Sequence, residues 1–118
     1  MTLDDVRRIA LGLPEAEEVL TWDTDITFRV RGKIFAIGGD GSPDLSVKAT
    51  PVVQSELIDL DAETFRRAPY VGRLGWVLVD LERVDPDLLG GLIREAWRAT
   101  APKRLAAMLP APVAEGEP

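Results

Sequence analysis

The chain has 118 residues, 46% of them hydrophobic, enough for one domain with its own core. It contains no cysteine and no histidine, which removes disulfides, zinc fingers, thiol nucleophiles and histidine bases and leaves only carboxylate sites for hard cations such as magnesium or calcium. The formal net charge of −6 argues against strong nonspecific nucleic-acid binding by the whole molecule, although a local basic face is compatible with an acidic body.

No run of eighteen apolar residues is present, so no membrane-spanning helix is expected. The start, Met1-Thr2-Leu3-Asp4-Asp5, lacks the basic residues and apolar stretch of a signal peptide, and a cytoplasmic location is the expectation. Thr2 begins the first predicted helix as a cap, with Asp5 three residues on in the place of a capping-box glutamate. Leu3, Val6, Ile9, Ala10 and Leu13 recur at helical spacing, and Gly12 with Pro14 ends the element. Residues 17–22 read as a short strand. Asp23-Thr24-Asp25 is turn chemistry, and the stretch 26–31 alternates, with Ile26, Phe28 and Val30 on one side and Thr27, Arg29 and Arg31 on the other. Gly32 joins it to the strand 33–37 as a tight hairpin. Gly38 to Pro43 forms a glycine-rich turn, and Asp44 to Ala49 alternates again, with Leu45 and Val47 inward and Ser46 and Lys48 outward.

Thr50-Pro51 is a capping hydroxyl followed by proline at the first helical position. Val53, Leu57, Ile58 and Leu60 are the expected apolar positions of that helix, and 61–67 reads as a further helical turn closed by Ala68-Pro69. Residues 75–81 make the strongest strand of the sequence. Asp85-Pro86 repeats the cap-plus-proline signal, and the last long helix carries Leu88, Leu89, Leu92, Ile93, Ala96 and Trp97. Gly90-Gly91 inside it is unfavourable by about 1 kcal/mol per glycine against alanine, and close packing on the sheet is the expected reason. Pro102 ends the helix, a short helix follows over 103–109, and 110–118 reads as a disordered tail.

The expected fold is α+β: a two-layer sandwich with an antiparallel sheet of about five strands and three helices on one face, in the order α-β4-α-β-α, as a single domain over 1–109. Short connections favour antiparallel pairing, since parallel neighbours need long crossovers. The other face of the sheet is expected to meet solvent.

Two candidate sites stand out, and no catalytic constellation does. The first is the open face, with Arg29, Arg31 and Lys48 pointing outward and Lys33 at the hairpin tip; basic groups so placed contact phosphates. Against it stands the ordinary alternative of a solvated strand face with cross-strand polar pairs. The second is Tyr70-Val71-Gly72-Arg73-Leu74-Gly75-Trp76, where Arg73 is suited to an anion and Tyr70 or Trp76 to stacking. The alternative there is a structural loop whose tryptophan fills a gap. The acidic pairs, Asp23 and Asp25 among them, are expected to be caps and turns. Gly38-Gly39-Asp40-Gly41 is not a phosphate loop, because no Gly-Lys-Ser/Thr follows it. Trp22 and Trp97 are expected to serve the core or its rim.

Several blocks carry a family resemblance: Leu11-Gly12-Leu13-Pro14-Glu15-Ala16, Trp22, residues 26–36, the block 68–77 with Tyr70-Val71-Gly72-Arg73-Leu74-Gly75-Trp76 at its centre, and Ala96-Trp97-Arg98 through Leu105. In these the chain resembles the MmcQ/YjbR family. The resemblance implies a small α+β domain of CyaY-like or secretion-chaperone-like fold, a DNA-binding label resting on a proposed double-wing shape, no enzymatic activity, and no cofactor or metal. Family members often carry a histidine and Pro-Ser near Trp22; this chain reads Trp22-Asp23-Thr24-Asp25-Ile26-Thr27, so no role of that histidine carries over. The resulting expectation is a monomeric DNA-binding domain using Arg29, Arg31, Lys33, Lys48, Tyr70, Arg73 and Trp76. The alternative is a protein-interaction or small-ligand adaptor using the same face.

Overall fold

The computed structural model describes residues 1–21, 24–39 and 41–109. The expectations placed on Trp22, Asp23, Asp40 and the tail 110–118 lie outside the described residues. The elements run α1 (Leu3–Leu11), β1 (Ala16–Thr21), β2 (Asp25–Val30), β3 (Lys33–Gly39), β4 (Asp44–Val47), α2 (Pro51–Leu60), β5 (Phe65–Arg67), a 3-10 turn (Gly72–Leu74), β6 (Val77–Asp80), α3 (Pro86–Thr100) and α4 (Lys103–Ala106). All strand pairs are antiparallel, in the spatial order β1-β2-β3-β4-β6-β5.

The helix starts follow the sequence signals. Thr2 and Asp5 form a reciprocal capping box, and Thr50 and Asp85 each accept an amide of the first turn ahead of a proline. The inner face of the sheet presents Ile26, Phe28, Val30, Ala36, Leu45, Val47, Val77 and Val79, all buried. Leu89, Ile93, Ala96 and Trp97 of α3 and Val6 and Ala10 of α1 share that core. Each buried valine, leucine, isoleucine or phenylalanine among them contributes about 1.5–3 kcal/mol of transfer free energy. Trp97 also donates its indole N–H to the Pro14 carbonyl at 3.0 Å, tying α3 to the loop after α1.

Three features depart from the sequence reading. The sheet has six strands, not five. The stretch expected to be helical after α2 contains β5: the Asp61 carboxylate accepts the amides of Glu63 and Thr64 and the Thr64 hydroxyl, the chain turns, and Phe65 enters the core opposite Val79. Second, α2 is not amphipathic in the expected sense. It packs against β5 and buries Gln54 and Leu57, while Val53 and Leu60 face outward. Gln54 is satisfied there, its side-chain amide donating to the Gly72 carbonyl at 2.8 Å and the Trp76 carbonyl at 2.6 Å. Third, Gly90-Gly91 does not mark close approach to the sheet: a Cβ on Gly91 would meet nothing within 4 Å, and one on Gly90 would meet only the Arg94 guanidinium.

Candidate functional site

The side of the sheet away from α1 and α3 carries one residue per strand in a continuous row: Val19, Thr27, Ile37, Ser46, Leu78 and Arg66, each the register partner of the next. The next row along the strands holds Asp25, Gly39, Asp44 and Asp80. The period of two that sends Ile26, Leu45, Val77 and Val79 inward therefore places Ile37 and Leu78 outward, on a face whose centre no helix covers among the described residues. A loop fills part of that space instead. Ala68 donates its amide to the Trp76 carbonyl, closing the segment between β5 and β6 into a bend. Within the bend, Tyr70 has φ of +64° and is 95% exposed. The result is a groove of about 630 Å³ floored by Ile37, Ser46 and Leu78, walled by Pro69, Tyr70 and Val71, and edged by Asp25 and Asp44.

A β-bulge shapes the opposite end of the face. Phe28 pairs with Ala36 and Arg29 with Ile34, so Phe35 has no partner on β2. Its carbonyl accepts the Lys48 amide at 3.0 Å instead. Arg29 is half-buried and lies along the face, its Nε donating to Thr27 Oγ1 at 2.9 Å and Nη2 to Thr21 Oγ1 at 3.1 Å. Thr27 in turn donates to the Val19 carbonyl at 3.0 Å, which explains a threonine wholly buried on the open side.

The residues singled out from the sequence are thus dispersed. Arg31 sits in the hairpin turn with φ of +51° and is held by Glu15 through two hydrogen bonds of 2.5 and 3.0 Å. That pairing lowers the Glu15 carboxyl below its ordinary value and raises Arg31. Lys33 is exposed at the turn, Lys48 is half-buried just after β4, and Arg73 is exposed on the 3-10 turn; none of the three has an ion-pair partner among the described residues. Tyr70 lines the groove. Trp76 does not present a free ring: it is 8% exposed, and Gln54 fastens its carbonyl.

Four residues of the face were not singled out as a site in the sequence. Ile37, Leu78 and Asp44 were legible only through strand parity, which sets them opposite the core residues beside them. Arg66 belongs to the unrecognised strand β5, and its Nη2 lies 3.8 Å from Asp44 Oδ1 across the groove's edge. No group of three or more acidic side chains suited to a metal ion occurs among the described residues. No helix among them is long and apolar enough to cross a membrane.

This arrangement, a six-stranded antiparallel sheet with helices on one side and a loop-walled groove on the other, defines a small open-faced α+β domain. Residues 11–99 match the family model described as YjbR, and the chain belongs to that family. It is also similar in structure to Deinococcus radiodurans protein DR2400, whose crystal structure is described with the domain DUF419: the TM-score is 0.80 at 25% identity, covering 98% of this chain and 94% of that one. The comparison with curated proteins gave no match.

Proposed function

We propose that the chain is a non-enzymatic binding domain that receives its ligand, a protein segment or a small molecule with an apolar body, on the open sheet face. The observation that carries this reading is the groove itself: an apolar floor of Ile37 and Leu78 on the one face of the sheet left without a helix, under a loop wall that ends in an exposed aromatic. Ligand sites are typically concave and mostly apolar, with a few polar groups that fix orientation, and Ser46, Asp25 and Asp44 are placed to do so here. The test is an amide-resolved NMR screen against small apolar fragments and decapeptides. Binders shift Ile37, Ser46 and Leu78 amides, and Leu78→Glu, which puts a charge in the floor, removes those shifts. A screen in which no compound moves these amides would sink the reading.

The second reading is DNA binding, the function implied by the MmcQ/YjbR resemblance. It is favoured by the cations at the other end of the face: Lys33, Lys48 and Arg73 have no carboxylate partner among the described residues. Arg31 adds to them, because an exposed pair such as Arg31–Glu15 yields readily to a phosphate. Strand direction sets this end apart from Asp25 and Asp44, so a duplex laid across the β2–β3 hairpin avoids the acidic row. Titration of short duplexes at rising salt decides it. About four phosphate contacts give log K against log salt a slope of roughly −3.6, and Lys33→Glu with Lys48→Glu flattens that slope. Absence of binding at about 20 mM salt, where screening is weak, excludes it.

A further inference from the structure

Eight large hydrophobic side chains are exposed among the described residues, and five of them fall in two short segments: Val52, Val53 and Leu60 on α2, and Tyr70 and Leu74 in the loop after β5. These segments adjoin in space. Gly75 lies so close to the start of α2 that a Cβ there would be 2.5 Å from the Thr50 carbonyl carbon, and Gln54 of α2 holds the Gly72 carbonyl. The helix buries a glutamine beside Leu57 and leaves Leu60 70% exposed. Exposed apolar side chains gathered on adjoining segments are a recurrent mark of interaction sites.

The charges on the same surface say what covers it. Glu56 and Asp59 project from α2, and Arg67 and Arg73 from β5 and the 3-10 turn; all four are exposed, and none has an ion-pair partner among the described residues. One half of the patch is therefore acidic and the other half basic, each beside apolar side chains. A two-fold interface brings the same patch from both molecules together, so each half meets the opposite half. A patch with complementary halves fits itself. Two α2 helices laid directly on each other would oppose Glu56 to Glu56, so α2 instead crosses the partner's loop.

From this we infer that a second copy of the chain docks here, with α2 of each protomer seated on the 70–74 loop of the other, Glu56 and Asp59 facing Arg73 and Arg67. This goes beyond the groove reading: the docking loop shares Tyr70 and Val71 with the groove wall, but α2 does not line the groove, and a change of mass reads the docking apart from any shift of the groove-floor amides. The patch is small, one ten-residue helix about 15 Å long plus a short loop, so the dimer is weak and concentration-dependent.

Sedimentation equilibrium on the full chain tests this. The weight-average mass rises from the 12.9 kDa of one chain toward twice that value between about 1 µM and about 1 mM. Leu60→Glu and Val53→Glu, both at exposed positions, each weaken association about tenfold or more while leaving the circular dichroism unchanged. A charge swap separates a specific interface from general stickiness. Glu56→Arg with Asp59→Arg in one chain, and Arg67→Glu with Arg73→Glu in another, each weaken self-association, yet a one-to-one mixture of the two forms a heterodimer about tenfold or more tighter than either variant homodimer. A mass fixed at one chain over the whole range overturns the proposal and leaves the patch to a foreign partner. A dimer indifferent to these substitutions, or a mixture that fails to associate, overturns it as well.

Discussion

Gly75 has φ of +105°, and a Cβ there would lie 2.5 Å from the Thr50 carbonyl carbon and 2.6 Å from the Pro51 nitrogen, both backbone atoms that no rotamer change moves. Gly91 is the converse case: it lies mid-helix in α3, and a Cβ would meet nothing within 4 Å. The two glycines therefore predict opposite outcomes for one substitution. Gly75→Ala loses about 2–4 kcal/mol, from a left-handed backbone that alanine tolerates poorly plus an overlap that pushes α2 off the loop. Gly91→Ala gains about 0.5–1 kcal/mol, because it removes unfolded-chain entropy and meets no obstruction. Urea unfolding midpoints of the two variants against wild type check both at once. If Gly91→Ala were to destabilise, the outer groove beside Leu88 and Leu92 would have to be occupied by something that excludes a methyl group.

At the scale of elements, what could be read from the sequence depended on whether the segment carried a period. Residues 26–30 alternate and the hairpin to 33–37 formed, but Arg31, read as an outward strand position, joins Gly32 in the turn, and a bulge at Phe35 interrupts the period on β3. The Thr2, Thr50 and Asp85 caps likewise fixed three helix starts. β5 had no such signal. Three residues hold one inward side chain, Phe65, and a single apolar position cannot distinguish strand from helix. What makes it a strand is Asp61, whose carboxylate ends α2 and orders the turn by accepting the Thr64 hydroxyl at 2.6 Å together with two amides. Those hydrogen bonds, the hydroxyl first, hold the Asp61 carboxyl below its ordinary value. A depressed folded value means that the stabilisation is complete above the ordinary aspartate range and disappears as pH falls through the folded value. Asp61→Asn should therefore be less stable than wild type at neutral pH, with the gap narrowing below about pH 4 and closing in stronger acid. Thermal midpoints of both proteins from pH 7 down to about pH 2 give the comparison, and a gap independent of pH would show that the carboxylate charge has no part in ordering β5. The candidate site was partly hidden for the same reason: Arg29, Lys33, Lys48 and Tyr70 could be named as polar or loop residues, but that Ile37 and Leu78 share a floor with Asp44 follows from the six-stranded register and not from any local pattern.

For the whole molecule, the central claim is that one face of the sheet is core and the other is a working surface, and β6 tests this within three residues. Val77 and Val79 are fully buried and belong to the core cluster, while Leu78 between them points to the open side and lines the groove. If the helices cover only the inner face, the two sides must differ sharply in the energy released when a side chain is truncated. Val79→Ala leaves a void between Phe65, Leu45 and the helices and should lower stability by about 2 kcal/mol, the transfer of two methyl groups plus the unfilled space. Leu78→Ala removes a larger side chain, yet its atoms border solvent across the groove, so the loss should stay within about 1 kcal/mol. The smaller deletion is then the more damaging one, an order that residue size and hydrophobicity alone would reverse. Guanidinium unfolding of the two variants reads it directly. Equal large losses would mean that Leu78 is covered by packing, leaving no groove for a ligand. The predicted order would instead show that folding requires little of Leu78, which leaves its side chain free to meet a ligand in the groove.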